Sequence, residues 1–385
     1  MMLNLFGEAP PKTVFISEEQ SRNLGQMAFY GRFYPDSNIY NVFPPRLAEN
    51  GTLLGTLVPE DAPSPEGFHA RAVDGTLRFF EGDEPLKIEV YHLYQSIFSR
   101  NKGILETDVM QEKRAVIIGC GSVGSLAAME LARAGVGHFL LIDADIVEYH
   151  NLCRHQCGIE DVGDLKINAL ARKLRSIDPF IHIETCEGVL QNVPKALLDG
   201  FCKENDTIFL GCADNRSADV YANRISIYYS CAFLSIGLWE RACAGEIFYH
   251  IPGCGMPCYA CALGSGDTTP RAQANHHLYS NEEAVNGISF EPGISTDISF
   301  VTLIGVKLAI DILDRGREGH LPQLLNDLKQ YTIICNTSDT AIAGETVGIF
   351  SYPLQVSRSL VVTFTKEACR KEGRCCYERD AEKGR

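Results

Sequence analysis

From Arg114 onward the chain alternates short unbroken apolar runs with stretches of 3.6-residue periodicity. Ala115–Ile118 is apolar throughout and ends directly in Gly119, which predicts a strand covered on both faces. Val123, Ala127, Leu131 and Ala134 then fall on one face of a helix, and Gly135 supplies its C-terminal stop. Phe139–Ile142 predicts the next buried strand, followed by a helix over Lys166–Ile177 and strands at Phe180–Ile183 and Thr207–Leu210. That order is the βαβ series of a parallel sheet. A helix over Ala218–Tyr229 precedes Phe233–Ile236 and Gly245–Ile251, whose short separation suits antiparallel additions to the same sheet. The fold class is therefore α/β, a Rossmann-like mixed β-sheet with helices on both faces.

Residues 1–90 read as a small N-terminal accessory domain, set off by the turn-forming Pro44-Pro45 and the stretch Pro59 to Pro65. Within it, Phe68–Val73 and Thr76–Phe80 flank Asp74-Gly75, a two-residue hairpin signal because both turn positions need positive φ. Residues 91–385 form the larger domain. In it, 264–295 is polar and aperiodic and is expected to cross the active-site face as a loop. Residues 297–385 add a C-terminal helix and strands: Ser295 or Thr296 is expected to cap an apolar helix over Ile298–Leu313, and Tyr331–Cys335 and Leu360–Phe364 read as strands.

The sequence Gly119-Cys120-Gly121-Ser122-Val123-Gly124 is a GxGxxG turn placed between a buried strand and a helix, where glycines let backbone approach a phosphate or ribose. Asp143 ends the following strand at the distance where an acidic side chain meets ribose hydroxyls, with Asp145 either assisting or serving as a turn residue. These features fit NAD and ATP equally. The next stretch separates them: Asn151, Arg154 and, after Gly163-Asp164-Leu165, Lys166 set two cations and an amide beside the nucleotide turn. A dehydrogenase has no need of them, whereas pyrophosphate departure requires developing negative charge to be held. Asp214, past another parallel strand, is either a Mg²⁺ ligand or a helix N-cap.

Taken together, Gly119 to Gly124, Asp143, Asn151 to Arg154, Lys166 and Asp214 resemble the ThiF/MoeB/HesA superfamily of E1-like adenylating enzymes, over about residues 95–385. The chain is similar to members with Ser-Arg-Asn ahead of the nucleotide strand, here Ser99-Arg100-Asn101, and carries Arg154-His155 where others have Arg-Gln. The resemblance implies a homodimer in which Arg100 reaches the partner's ATP, with Asp214 holding Mg²⁺. It is nearest to E1 proteins of bacterial ubiquitin-like systems, which implies adenylation of the C-terminal carboxylate of a ubiquitin-like protein. The alternative is an adenylating enzyme that modifies a ribosomal precursor peptide; an NAD-dependent oxidoreductase and a silent binding module are readings from other classes.

Cys258-Tyr259-Ala260-Cys261 is a CxxC knuckle able to hold half of a tetrahedral Zn²⁺, or else a packing or redox pair. The superfamily supplies a second CxxC near its C-terminus; here Cys369 and Cys375-Cys376 stand there, so the resemblance implies Cys258, Cys261 and two of those three, such as Cys369 and Cys376. A thioester nucleophile is not evident: 264–295 holds no cysteine, which leaves Cys243, Cys254 and Cys335 as candidates. Composition narrows the partners. A formal charge of −14 disfavours nucleic acid, no apolar run reaches the roughly 18 residues of a membrane helix, and fifteen cysteines behind a start without a secretory pattern predict reduced thiols in the cytoplasm.

Overall fold

The computed structural model describes residues 10–263, 292–319, 324–325, 328–337 and 356–358. The expected strand Leu360–Phe364, most of the expected crossing loop and Cys369, Cys375 and Cys376 lie outside the described residues. The chain forms two compact units, 1–100 and 101–385.

In the first unit, β1 (Thr13–Ser17), β2 (Ala28–Tyr34), β3 (Ile39–Val42), β4 (Thr52–Thr56) and a later strand make a mixed sheet, with β5 (Phe68–Val73), β6 (Thr76–Glu81) and β7 (Glu84–Pro85) in a separate antiparallel one. That later strand is β8 (Lys87–Tyr91), on the far side of β1, and the short helices α1 (Glu18–Ser21) and α2 (Leu93–Ile97) complete the unit. The predicted hairpin is present, with Asp74 at φ 50° and Gly75 at φ 73°. Val14, Ile16, Phe29, Phe68 and Phe79 build its core, and the rings of Phe29 and Phe79 meet edge to face at 5.2 Å. Buried Arg71 donates to the carbonyls of Pro59 and Ala62, both at 2.8 Å, so one guanidinium organises the proline-rich stretch.

The second unit opens with α3 (Thr107–Gln111), then alternates β9 (Arg114–Ile118), α4 (Ser122–Arg133), β10 (His138–Asp143), α5 (Lys166–Ile177), β11 (His182–Glu187), α6 (Lys195–Phe201), β12 (Thr207–Gly211), α7 (Arg216–Tyr228) and β13 (Ala232–Leu238). It closes with β14 (Ala244–His250), α8 (Tyr259–Leu263), α9 (Ser295–Leu313), β15 (Tyr331–Cys335) and β16 (Val356–Arg358). The strands form one sheet in the order β11-β10-β9-β12-β13-β14-β15-β16, parallel from β11 to β13 and antiparallel beyond. Side-chain alternation assigns each strand to two cores. Ala115, Ile117, Phe139 and Leu141 pack against α4, α5 and α9; Val116, Ile118, Leu140 and Ile142 pack on the other face beside α6, α7 and α8. At the start of β9, Lys113 Nζ bonds Asp206 Oδ1 at 2.7 Å and the Arg114 N–H donates to the Asp206 carbonyl at 2.8 Å.

Three expectations require correction. The strand placed at Phe180–Ile183 begins at His182, because Asp178 Oδ1 accepts the Phe180 N–H at 2.9 Å in a turn and removes that donor from the ladder. Neither Ser295 nor Thr296 caps α9; Ile294 takes the extended N-cap position, and both hydroxyl residues lie inside the first turn. Finally, β13 is parallel to β12, with α7 as its crossover, so the antiparallel additions begin only at β14.

The fold depends on Gly124 at a contact that leaves no room for a side chain, since a Cβ there would lie 1.8 Å from the Gly119 carbonyl oxygen. In an ordinary helix Gly→Ala stabilises by about 1 kcal/mol. Here Gly124→Ala is expected to do the reverse, costing about 1–3 kcal/mol from overpacking, read as a lower denaturation midpoint at unchanged denaturant dependence.

Candidate active site

The carboxyl ends of β10, β9, β12 and β13 lie side by side, and the loops leaving them line a cleft of about 870 Å³. Gly119 turns the chain out of β9 at φ 87°, and a Cβ on it would come within 2.8 Å of the Ala213 backbone nitrogen. The nucleotide turn and the Asp214 loop are thus packed backbone against backbone. Gly121 is the N-cap of α4 and contributes no side-chain cap, so the first N–H groups of that helix are left for an anion.

Asp143 is held rigidly by the turn it faces. Its Oδ2 accepts the Cys120 N–H at 2.6 Å and its Oδ1 the Asp145 N–H at 2.8 Å. Lys166 begins α5 with its side chain only 11% exposed, and Nζ donates to Asp145 Oδ2 at 2.7 Å. Asp145 is 68% exposed, so this pair is solvent-screened and contributes at most about 1 kcal/mol, which an incoming phosphate can replace. Asn151 spends its amide oxygen on the Glu148 N–H at 2.9 Å, which leaves its NH₂ for the cleft. Arg154 lines the same cleft, half-buried.

Asp214 is exposed at the cleft, and the cap of α7 is its neighbour: Asn215 Oδ1 accepts from the Ser217 and Ala218 N–H groups at 2.8 and 3.2 Å. The choice left open by sequence is thereby resolved against Asp214 as the cap. The cleft brings together Gly119, Gly121, Ser122, Asp143, Asp145, Asn151, Arg154, Lys166 and Asp214, while Gly124 packs beneath them. Arg100 is exposed and belongs to the first unit.

Cys258 and Cys261 are buried in the core beside α7, and among the described residues no group of three or more His, Cys, Asp or Glu side chains is arranged to hold a metal. Of the candidate nucleophiles, Cys243 and Cys335 are buried with Trp239, and burial pushes the Cys335 thiol up; Cys254 is exposed.

Sequence reasoning missed a structural role for His155. Buried behind the turn, its Nδ1 accepts the Cys157 N–H at 3.1 Å, so Nε2 carries the proton and donates to the Cys120 carbonyl at 2.7 Å. A neutral imidazole thus braces the GxGxxG turn. Also missed were the Gly188–Gln191 loop and Trp239, both lining the cleft. An isolated aromatic ending an apolar strand was the available signal for Trp239; the loop offered none.

Residues 95–345 match the ThiF family. The chain belongs to the ThiF family. The matched segment contains the whole cleft, together with Arg100, Cys258 and Cys261, and ends before Cys369. Among curated ThiF-like relatives, ubiquitin-like modifier-activating enzyme 5 of Drosophila willistoni is 32% identical over 166 residues, covering 40% of this chain and 39% of that protein. The enzyme of the same name from Arabidopsis thaliana is 30% identical over 165 residues, covering 40% and 38%. The chain therefore spans about two fifths of the length of these relatives. A crystal structure of E. coli MccB with ATP superposes with a TM-score of 0.45 at 17% identity, over 67% of this chain and 68% of that one.

Burial holds the His155 pKa below its ordinary value, outweighing the Cys120 carbonyl hydrogen bond and the nearby carboxylates that raise it. The unfolded chain then takes up this proton first as pH falls, so the stabilisation is complete above about pH 6.5 and is lost progressively below it. His155→Gln, which removes the titrating ring and keeps a hydrogen-bonding side chain, is expected to reduce the loss of thermal stability between about pH 6.5 and 5 relative to the unmodified chain, measured by pH-dependent melting.

Proposed function

We propose that this ThiF-family chain adenylates the C-terminal carboxylate of a ubiquitin-like protein at the expense of ATP. The observation that carries this reading is the convergence of Asp143, Arg154, Lys166 and Asp214 on one cleft beside the glycine turn. A carboxylate oxygen of the substrate attacks the α-phosphorus, the bond from that phosphorus to the β-phosphate oxygen breaks, and pyrophosphate leaves with the electron pair. Acyl-adenylate and pyrophosphate account for all atoms.

Asp143 orients the ribose, its carboxylate already fixed by two backbone N–H groups. Arg154 and Lys166 hold the phosphates, and Lys166 exchanges Asp145 for the leaving pyrophosphate as charge develops on it. The exposed carboxylate of Asp214, next to the Asn215 cap of α7, would hold Mg²⁺, which would supply charge neutralisation to the phosphates. Positioning accounts for most of the acceleration. Arg100 acts on the ATP of the other protomer in a homodimer. Cys258 and Cys261, both buried, would supply half of a structural Zn²⁺ site, to be completed by two of Cys369, Cys375 and Cys376. The ubiquitin-like class of substrate is supported by the relatives' name, over a match that spans about two fifths of their length.

ATP–pyrophosphate exchange in the presence of the cognate small protein tests the reading. Lys166→Ala is expected to lower the exchange rate about 10²- to 10³-fold, in line with loss of one preorganised charge. Asp214→Ala should abolish exchange while leaving a cooperative melt, because the position is exposed and the cap of α7 is Asn215. Exchange retained by Asp214→Ala would overturn its assignment, and no exchange in the unmodified chain would overturn the reaction.

A further inference from the structure

The covalent order of an acyl-adenylate, from ribose to phosphate to acyl group, can be laid along the strand order of the sheet. Asp143 ends β10, the glycine turn follows β9, Asp214 follows β12 and Trp239 follows β13. These strands are consecutive in the order β10-β9-β12-β13, so three strand intervals, or ~14 Å, separate the ribose end from the Trp239 end. With the ribose at Asp143 and the phosphates at the glycine turn, the acyl group has to point toward β13.

The wall it would meet there differs in chemistry from the rest of the cleft. Gly237, Leu238, Trp239, Ala242, Gly293 and Ile298 line it, with no charged side chain among them. It is also tightly packed: a Cβ on Gly293 would stand 3.2 Å from the Ala242 Cβ, and Ala242 itself sits in the left-handed region at φ 52°. Trp239 is the largest of these residues and is 3% exposed, so its indole has little freedom to withdraw.

That indole is held by a buried carboxylate. Trp239 Nε1 donates to Glu246 Oε2 at 3.3 Å, the Tyr331 hydroxyl donates to the same oxygen, and Arg216 Nη2 bonds Glu246 Oε1 at 2.8 Å. Arg216 and Glu246 side chains are 4% and 3% exposed, which makes this an ion pair sealed from water. Arg216 opens α7, two positions after Asp214. One buried carboxylate therefore ties the Asp214 loop to the Trp239 wall.

We propose that Trp239 is the specificity-determining wall for the acyl end of the adenylate, favouring a small terminal residue, and that Glu246 is the residue positioning it. This rests on the adenylation reading above, which the experiment can fail separately. The probes are AMP and two non-hydrolysable acyl-adenylate mimics, glycyl- and phenylalanyl-sulfamoyl adenosine, bound to the full chain and followed by calorimetry. Trp239 is the sole tryptophan, so its emission reports the wall directly. The expected result is that both mimics change the emission beyond the change given by AMP, and that the glycyl mimic binds more tightly.

Trp239→Ala should narrow the gap between the mimics about tenfold while AMP affinity stays within about twofold. Glu246→Gln, which keeps the tryptophan, should narrow the gap less and shift the emission to longer wavelength. If Glu246→Gln does not fold, Trp239→Phe decides the positioning role, since it keeps an apolar ring without the N–H and should weaken discrimination. Mimics that leave the emission as AMP does, or a Trp239→Ala variant that changes AMP and both mimics alike, would overturn the proposal. Trp239→Phe discriminating like the unmodified chain would overturn the role of Glu246. Failure of all three probes to bind would overturn the adenylation reading itself, and this inference with it.

Discussion

The arrangement of the cleft depends on one close approach of backbone to backbone. Gly124 lies against the Gly119 carbonyl and Gly119 lies against Ala213, so three segments from β9, α4 and β12 meet without a side chain between them. Asp143 and His155 then grip the turn from two sides, through the Cys120 N–H and the Cys120 carbonyl respectively. A turn whose two successive peptide planes are each held, one by its N–H and the next by its carbonyl, has little freedom left to lose on binding, which is the condition under which fixed dipoles stabilise developing charge at low reorganisation cost.

The cleft places two cations, Arg154 and Lys166, among three carboxylates, Asp143, Asp145 and Asp214, so its positive charge is positioned rather than accumulated. The chain carries a formal −14, which would oppose a polyanionic substrate at long range, yet Lys166 and Arg154 face the cleft and Asp145 is spent on Lys166. Local geometry outweighs net charge here because the interaction falls within a few ångströms of a half-buried site, inside the Debye length of about 8 Å at physiological salt.

Much of this was legible in the sequence for a simple reason: residues buried on both faces leave an unbroken apolar run, and β9, β10 and β12 carry one. The helix Lys166–Ile177 and the strand Tyr331–Cys335 coincide with the segments expected for them. Where sequence failed, a local hydrogen bond or a long-range partner decided the matter. The turn at Asp178 displaced β11, and the pairing of β13 with β12 rather than with β14 alone reflects a sheet order that no local window contains. In the cleft, the ligand-facing residues were readable because they sit at strand ends in a spaced motif. Their supports were not, since His155 and Glu246 act on residues 35 and 7 positions away in the chain.

The double-sided burial of β9 has a further consequence. Because Ala115 to Ile118 are apolar on both faces, sliding the strand by one residue would exchange one oily surface for another and incur little solvation penalty. Its alignment must therefore be imposed from its extremities: Lys113 and Arg114 clasp Asp206 at one tip, and Gly119 alone fits beneath Ala213 at the other. The central strand behaves as a rod located by its two end stops, and sequence drift within its middle can be tolerated so long as those stops keep their spacing.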